Sequence, residues 1–185
     1  MKIKGWVIVV VIIVILVIVC ISIYNKMVKL SNQVDESWAQ VENQLQRRYD
    51  LIPNLVETAK GYMKFEQETL IEVTKARASV GSAQTINEKI EANNQITSAL
   101  SRLLVVVEKY PELKANENFV TLMAELSGTE NRIAVERQRY NEKVREYNTY
   151  IKSFPAVIVS GLFGYSPKEY FKSVEEAKEA PKVQF

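Results

Sequence analysis

The sequence predicts an all-α protein: one transmembrane helix running without a break into a long antiparallel four-helix bundle. Three observations carry this expectation. An unbroken apolar run extends from Trp6 to Ile23 with Lys2 and Lys4 before it and Lys26 and Lys29 after it. Beyond it, apolar residues recur at alternating spacings of three and four, the coiled-coil-like seam of a bundle. Between the seams stand capping residues and prolines, and no stretch carries a convincing strand signal.

The apolar run, mostly Val and Ile, covers roughly 27 Å as a helix, close to the hydrocarbon thickness of a bilayer. A cleaved signal peptide would have a shorter apolar core, about 7–15 residues, and a small-residue cleavage site. The exit Ile21-Ser22-Ile23-Tyr24-Asn25 offers no such site. A lipoprotein signal would want a small residue before the cysteine, where Val19 precedes Cys20. The run therefore reads as a retained single-pass anchor in a cell membrane, with the lipid bilayer its first partner through residues 6–24. Two lysines flank each side, and the free amino group tips the count to the N-terminal side. By the positive-inside rule this favours a cytoplasmic N-terminus and an extracytoplasmic bundle. The pair Lys26 and Lys29 argues for the reverse.

The expected plan is a short flank at 1–5, the anchor at 6–24, a bundle at 25–154, and a terminal region at 155–185. Helices are expected near 25–48, 51–82, 86–110 and 117–154. The first follows Met27, Leu30, Val34, Trp38, Val41 and Leu45. Asp50 as a cap and Pro53 in a first turn suggest a new helix there, because proline's missing N–H costs nothing at a helix start. Thr85-Ile86-Asn87-Glu88 is a capping box that opens the third helix. Tyr110-Pro111 closes it, since a residue before proline is biased out of helix. Asn116 caps the fourth, whose seam runs from Phe119 through Leu126, Ile133, Tyr140 and Tyr147 to Phe154. Trp38, Val41, Leu55, Tyr62, Leu100, Leu104, Leu126 and Tyr140 are the expected core. The terminal region is an apolar segment, then a short helix capped by Ser166 with Glu169, then a tail.

Composition narrows the function. Histidine is absent and Cys20, in the span, is the sole cysteine. Cys–His and Ser–His dyads and imidazole or thiolate metal sites are thereby excluded. The scattered glycines make no phosphate-cradling loop. No catalytic, cofactor-binding or metal residue is expected, and no small-molecule substrate is indicated. Two of the 24 basic residues precede the run, so the remainder carries as many cations as its 22 anions. A nucleic-acid binder would show a basic excess. Two classes survive: a non-enzymatic scaffold that binds protein partners or self-associates, and a membrane-tethered hydrolase working through paired carboxylates. Long neutral helices without a cleft signal favour the first.

Tyr24-Asn25, Trp38, Arg47-Arg48-Tyr49-Asp50-Leu51-Ile52-Pro53-Asn54-Leu55-Val56 and Gly61-Tyr62 resemble the opening of the LemA family. So do Ala76-Arg77, Glu108-Lys109-Tyr110-Pro111-Glu112-Leu113-Lys114-Ala115-Asn116, Thr129-Glu130-Asn131 and Tyr140-Asn141. The resemblance extends from the anchor to about Phe163. It departs at Phe65-Glu66, where the family often has His-Glu, so no chemistry of that histidine can operate here. The resemblance implies a single-pass membrane protein with an antiparallel helical bundle and no defined biochemical activity.

Two groups of residues stand out. Glu66, Asn93, Glu130 and Arg137 interrupt the apolar seams, and helical rise places Glu66, Asn93 and Arg137 at similar depth. They read as a buried polar layer that fixes register, with an Arg137–Glu66 pair expected; a ligand site or a drifted, exposed seam are the alternatives. Leu162, Phe163 and Tyr165 are the second group. Either Val157, Ile158 and Phe163 cover the end of the bundle, with Phe163 against Met27 and Leu30, or Leu162, Phe163 and Tyr165 form a membrane-proximal patch in the lipid interface or for a partner.

Overall fold

The computed structural model of the chain describes residues 5–63 and 66–171. Among these the structure is all-helical, with α1 at Gly5–Lys60, α2 at Gln67–Ser82, α3 at Ile86–Val107, α4 at Pro111–Lys114, α5 at Glu117–Lys152 and α6 at Ala156–Phe163. Two compact units emerge. One combines the residues up to Ala39 with Gln138–Tyr170, and the other holds Gln40–Arg137 with Phe171.

The first unit contains the apolar run. Every residue from Trp6 to Ser22 is exposed, which a helix of a soluble core would not be. The segment is long and apolar enough to cross a membrane. It continues into the rest of α1 with no break. Below the run, Met27, Leu30 and Val34 of α1, Tyr140, Val144, Tyr147 and Ile151 of α5, and Ala156 and Val159 of α6 are buried. Trp38 is only half-buried; its ring meets Tyr140 edge-on at 5.3 Å.

The second unit has one core. Ile52, Leu55 and Ala59 of α1, Leu70 and Val73 of α2, Leu100 and Leu103 of α3, Leu113 of α4, and Phe119 and Leu126 of α5 all contribute. Capping follows the sequence closely. The Thr85–Glu88 capping box is present in both directions, and Asn116 Oδ1 accepts from the Phe119 N–H at 3.0 Å. Leu104 is not core: it is exposed, because the buried stripe Ile96, Leu100, Leu103, Val107 turns it outward. Tyr62 is exposed too, its hydroxyl accepting from Asn116 Nδ2 at 3.0 Å.

The expected break at Asp50 does not occur, and α1 carries Pro53 in its interior. An interior proline costs about 3 kcal/mol, partly because the carbonyl four residues back loses its donor. Here that carbonyl belongs to Tyr49, and Arg77 of α2 replaces the missing donor, with Nε 3.2 Å from the Tyr49 oxygen. The Arg77 guanidinium also stacks 3.8 Å from the Tyr49 ring centroid. Continuing the helix buries Ile52, Leu55 and Ala59 completely, which offsets the remaining cost. The chain turns instead after Lys60, so α2 starts at Gln67 rather than 51.

Two further corrections concern the end of the chain. The apolar segment after Pro155, for which no helix is expected, is the helix α6. From Ser166 to Phe171 there is no helix. Side chains of α5 take the backbone there instead: the Lys168 N–H donates to Asn148 Oδ1 at 2.8 Å, and Asn148 Nδ2 donates to the Lys168 carbonyl at 2.8 Å. The Tyr147 and Tyr140 hydroxyls donate to the carbonyls of Ser166 and Glu169. The expected tail after Phe171 lies outside the described residues.

Two outcomes follow. Arg77→Met should destabilise the protein by about 1–3 kcal/mol, the range for a charged hydrogen bond. In a Pro53→Ala background residue 53 regains its own N–H donor, so the same change should cost about 1 kcal/mol less in denaturant titrations. Equal costs in both backgrounds would show that Arg77 does not serve the proline-freed carbonyl. The second concerns Glu88, whose carboxylate is held below the usual range by the backbone N–H groups of Gln84 and Thr85. A lowered folded-state pKa means stability that is present above the unfolded value and lost as pH falls through the folded one. Melting temperature should therefore decline less steeply below pH 5 in Glu88→Ala than in the parent chain.

Candidate functional site

Helical spacing carries the α1 seam of the second unit through Val41, Leu45, Arg48, Ile52 and Leu55, so a guanidinium enters the apolar interior at the third position. Arg48 is only 3% exposed. A buried cation is tolerated when partners surround it, and here three converge on one nitrogen. Arg48 Nη1 donates to Asn93 Oδ1 at 2.9 Å and to Thr97 Oγ1 at 3.0 Å, both on α3. It also lies 2.5 Å from Glu130 Oε2 on α5. That oxygen is buried and makes a close ion pair rather than an aligned hydrogen bond. The Thr97 hydroxyl donates to the Asn93 backbone carbonyl at 3.2 Å, leaving its lone pair for Arg48.

Burial pulls the Arg48 pKa below the ordinary arginine value, and the Glu130 charge opposes the shift. The group remains a cation across the physiological range because arginine starts so high. Two buried atoms of the centre have no protein partner among the described residues: Arg48 Nε, a donor, and Gln44 Oε1, an acceptor one helical turn away on α1. The arrangement has one cation, neutral donors and acceptors around it, and a carboxylate that reaches in from the surface with 45% of its side chain exposed. It ties α1, α3 and α5 of this unit together.

The four residues of the expected polar layer are not gathered into one group. Asn93 and Glu130 are brought together, but neither Glu66 nor Arg137 joins them. Glu66 sits at the start of α2, 3.9 Å from Lys109 Nζ. Arg137 is half-buried with its guanidinium 5.6 Å from the Phe171 ring centroid. The α5 seam passes through Thr129, fully buried, and not through Glu130. Arg48 was missed because a helix end was assigned beside it. Carrying the seam past Asp50 would have found it.

Other carboxylates of this unit face cations as well: Glu72 meets Arg102 at 3.0 Å, Glu125 meets Arg47 at 3.6 Å, and Glu42 meets Lys89. Among the described residues no group of three or more acidic or sulfur side chains could hold a metal ion.

The second expected group lies in the first unit. The Phe163 ring packs 4.9 Å from Tyr24 and the Tyr165 ring 6.0 Å from it. Phe163 remains 60% exposed and Leu162 77%. The aromatic cluster is thus built on Tyr24, at the end of the apolar run.

These features define a class of all-α proteins in which an N-terminal helix, long and apolar enough to cross a membrane, continues into helices closed around a buried arginine. The chain belongs to the LemA family, whose profile matches residues 37–185. It is 25% identical over 175 residues to magnetosome protein MamQ 2 of Paramagnetospirillum magneticum, covering 80% of this chain and 64% of that protein. It is 25% identical over 131 residues to protein LemA of Metamycoplasma hominis, covering 70% and 60%. MamQ of Magnetospirillum gryphiswaldense is 24% identical over 174 residues, covering 80% and 64%. The chain spans less than two thirds of the length of these curated relatives.

Removing the cation from the Arg48 centre strands Asn93 and a carboxylate oxygen. Arg48→Met should cost about 3 kcal/mol, near the lower bound for a broken buried pair because Glu130 can turn to water. Glu130→Gln, which keeps a polar partner, should cost about 1 kcal/mol. Arg137→Met should stay within about 1 kcal/mol of the parent, the scale of an exposed cation–π contact. Chemical denaturation of the three variants checks the order, and Arg137→Met costing more than Arg48→Met would overturn it.

Proposed function

We propose that this chain is a membrane-anchored, non-enzymatic interaction module. Residues 6–24 cross a cell membrane once, the N-terminus lies in the cytoplasm, and the remaining helices form a long antiparallel four-helix bundle that binds protein partners or further copies of itself. The supporting observation is how the polar and apolar groups of the second unit are distributed. Nη1 of its buried cation is met within the interior by Asn93, Thr97 and Glu130, and Glu42, Glu66, Glu72 and Glu125 each face a cation as well. A catalytic carboxylate pair would instead leave two acids converging on substrate. Meanwhile Val105 is 72% exposed on the outer side of α3, with Leu104 exposed beside it and Ile71 and Val120 exposed on α2 and α5. Exposed apolar side chains on three helices of this unit are the kind of group that partner contacts cover.

The experiment is site-specific photo-crosslinking of the full chain in native membranes, with the photoreactive residue at Val105 or, as a control, at Glu91, which is exposed on the same helix. Discrete adducts, to this chain or to another protein, should form from Val105 and disappear in Leu104→Lys. Adduct patterns identical at both positions would remove α3 as the contact surface.

A further inference from the structure

Helix α6 reads Ala156-Val157-Ile158-Val159-Ser160-Gly161-Leu162-Phe163 and carries no charge. Its one polar side chain is already satisfied: Ser160 Oγ is 3.0 Å from both the Ile151 and Val157 carbonyls. Its ends are closed by backbone bonds. The Val157 N–H reaches the Ser153 carbonyl at 2.8 Å, and Gly164, at φ 72°, lets the Tyr165 N–H return to the Ser160 carbonyl at 2.9 Å. The left-handed turn at that position suits glycine and few other residues.

One face of α6 is buried through Ala156, Val159 and Ser160. The other faces are not polar. Val157, Ile158, Leu162 and Phe163 are all exposed, and Phe154, just before the helix, is 82% exposed. A helix apolar all round belongs in a core or in lipid. Its position selects between these. Phe163 shares a groove of about 350 Å³ with Ile13, Leu16, Cys20, Ile21 and Tyr24, lined almost wholly by apolar atoms. Those α1 residues belong to the span and cover roughly 16 Å of its axis. Immediately beyond Tyr24 come cations suited to a headgroup layer: Lys26, whose ammonium lies 4.6 Å from the Tyr150 ring centroid, and Lys29.

We propose that α6 is a second membrane-embedded element. It lies in the leaflet adjoining the domain, with Phe163 at or below the level of Tyr24, and the groove between Phe163 and α1 holds a lipid acyl chain. The proposal rests on the reading of residues 6–24 as a bilayer span. It makes the membrane contact of this chain a two-point footing.

The test uses the full chain with Cys20→Ser, reconstituted in phosphatidylcholine–phosphatidylglycerol nanodiscs. Single nitroxide labels are placed at Ile158 or Leu162, both exposed, so the fold tolerates them. Labels at Ile12 and Glu142 serve as references for span and water. Collision with oxygen should exceed collision with a water-soluble nickel chelate at Ile158 and Leu162, as at Ile12. Nickel-dominated collisions at both α6 positions, with Ile12 still oxygen-dominated, would overturn the proposal and leave the span intact. Nickel-dominated collisions at Ile12 would overturn both. A second readout uses Phe163→Trp with Trp6 and Trp38 replaced by Phe. Acyl-brominated lipids should quench its emission, and unquenched emission would exclude a chain in the groove.

Discussion

A cation buried on an apolar seam must be met by partners or the unit that holds it does not form. That requirement at Arg48 shapes the second unit. The guanidinium fixes the rotation of α1 about its axis, the register of α3 through Asn93 and Thr97, and the placement of α5 through Glu130. Hydrophobic burial supplies most of the stabilisation but is indifferent to small slips between helices, since one aliphatic surface resembles another. A directional polar contact is not. The centre thus adds uniqueness of packing more than free energy, in the way single polar residues set register in coiled coils.

Arg77 makes the same kind of contribution on a smaller scale. The proline in α1 would be a defect in an isolated helix. It is accommodated because a side chain from α2 reaches the carbonyl it exposes and lies flat on the neighbouring tyrosine. Tyr49, Pro53 and Arg77 form one device spread over two helices. This gives a physical reason for Arg-Tyr-Asp-Leu-Ile-Pro and Ala-Arg to occur together in this chain without invoking a ligand.

The all-α class and the long apolar N-terminal helix were legible in the sequence because helical periodicity, the apolar run and the caps at Thr85 and Asn116 are local signals, set by neighbours three or four residues away. The interruption of α1 was misplaced for the same reason. Pro53 and Asp50 are strong local signals for a helix start, and what overrides them is Arg77, distant in sequence. The polar layer shows both sides. Asn93 and Glu130 could be found by their place near a seam, but the cation they serve was hidden behind the supposed break. Arg137 fits a seven-residue spacing yet sits at its edge. The terminal segment was ambiguous because a short, mostly apolar run looks alike as strand or helix, and because Ser166–Phe171 is held by α5 side chains that no local pattern announces.

The grip of α5 on that last stretch has a consequence for variation among relatives. Asn148, Tyr147 and Tyr140 hold main-chain atoms of residues 166, 168 and 169, and main-chain atoms are the same for every residue except proline, which would lack the N–H needed at 168. Sequence constraint therefore falls more on the holder than on the held. Within the held segment, side chains such as Lys168, whose ammonium pairs with Asp35 at 2.5 Å, and the buried Phe171, whose ring lies 5.6 Å from the Arg137 guanidinium, keep constraints of their own. A protein built this way can change the chemical character of its terminal stretch over generations while keeping its path, because that path is recorded in a different helix.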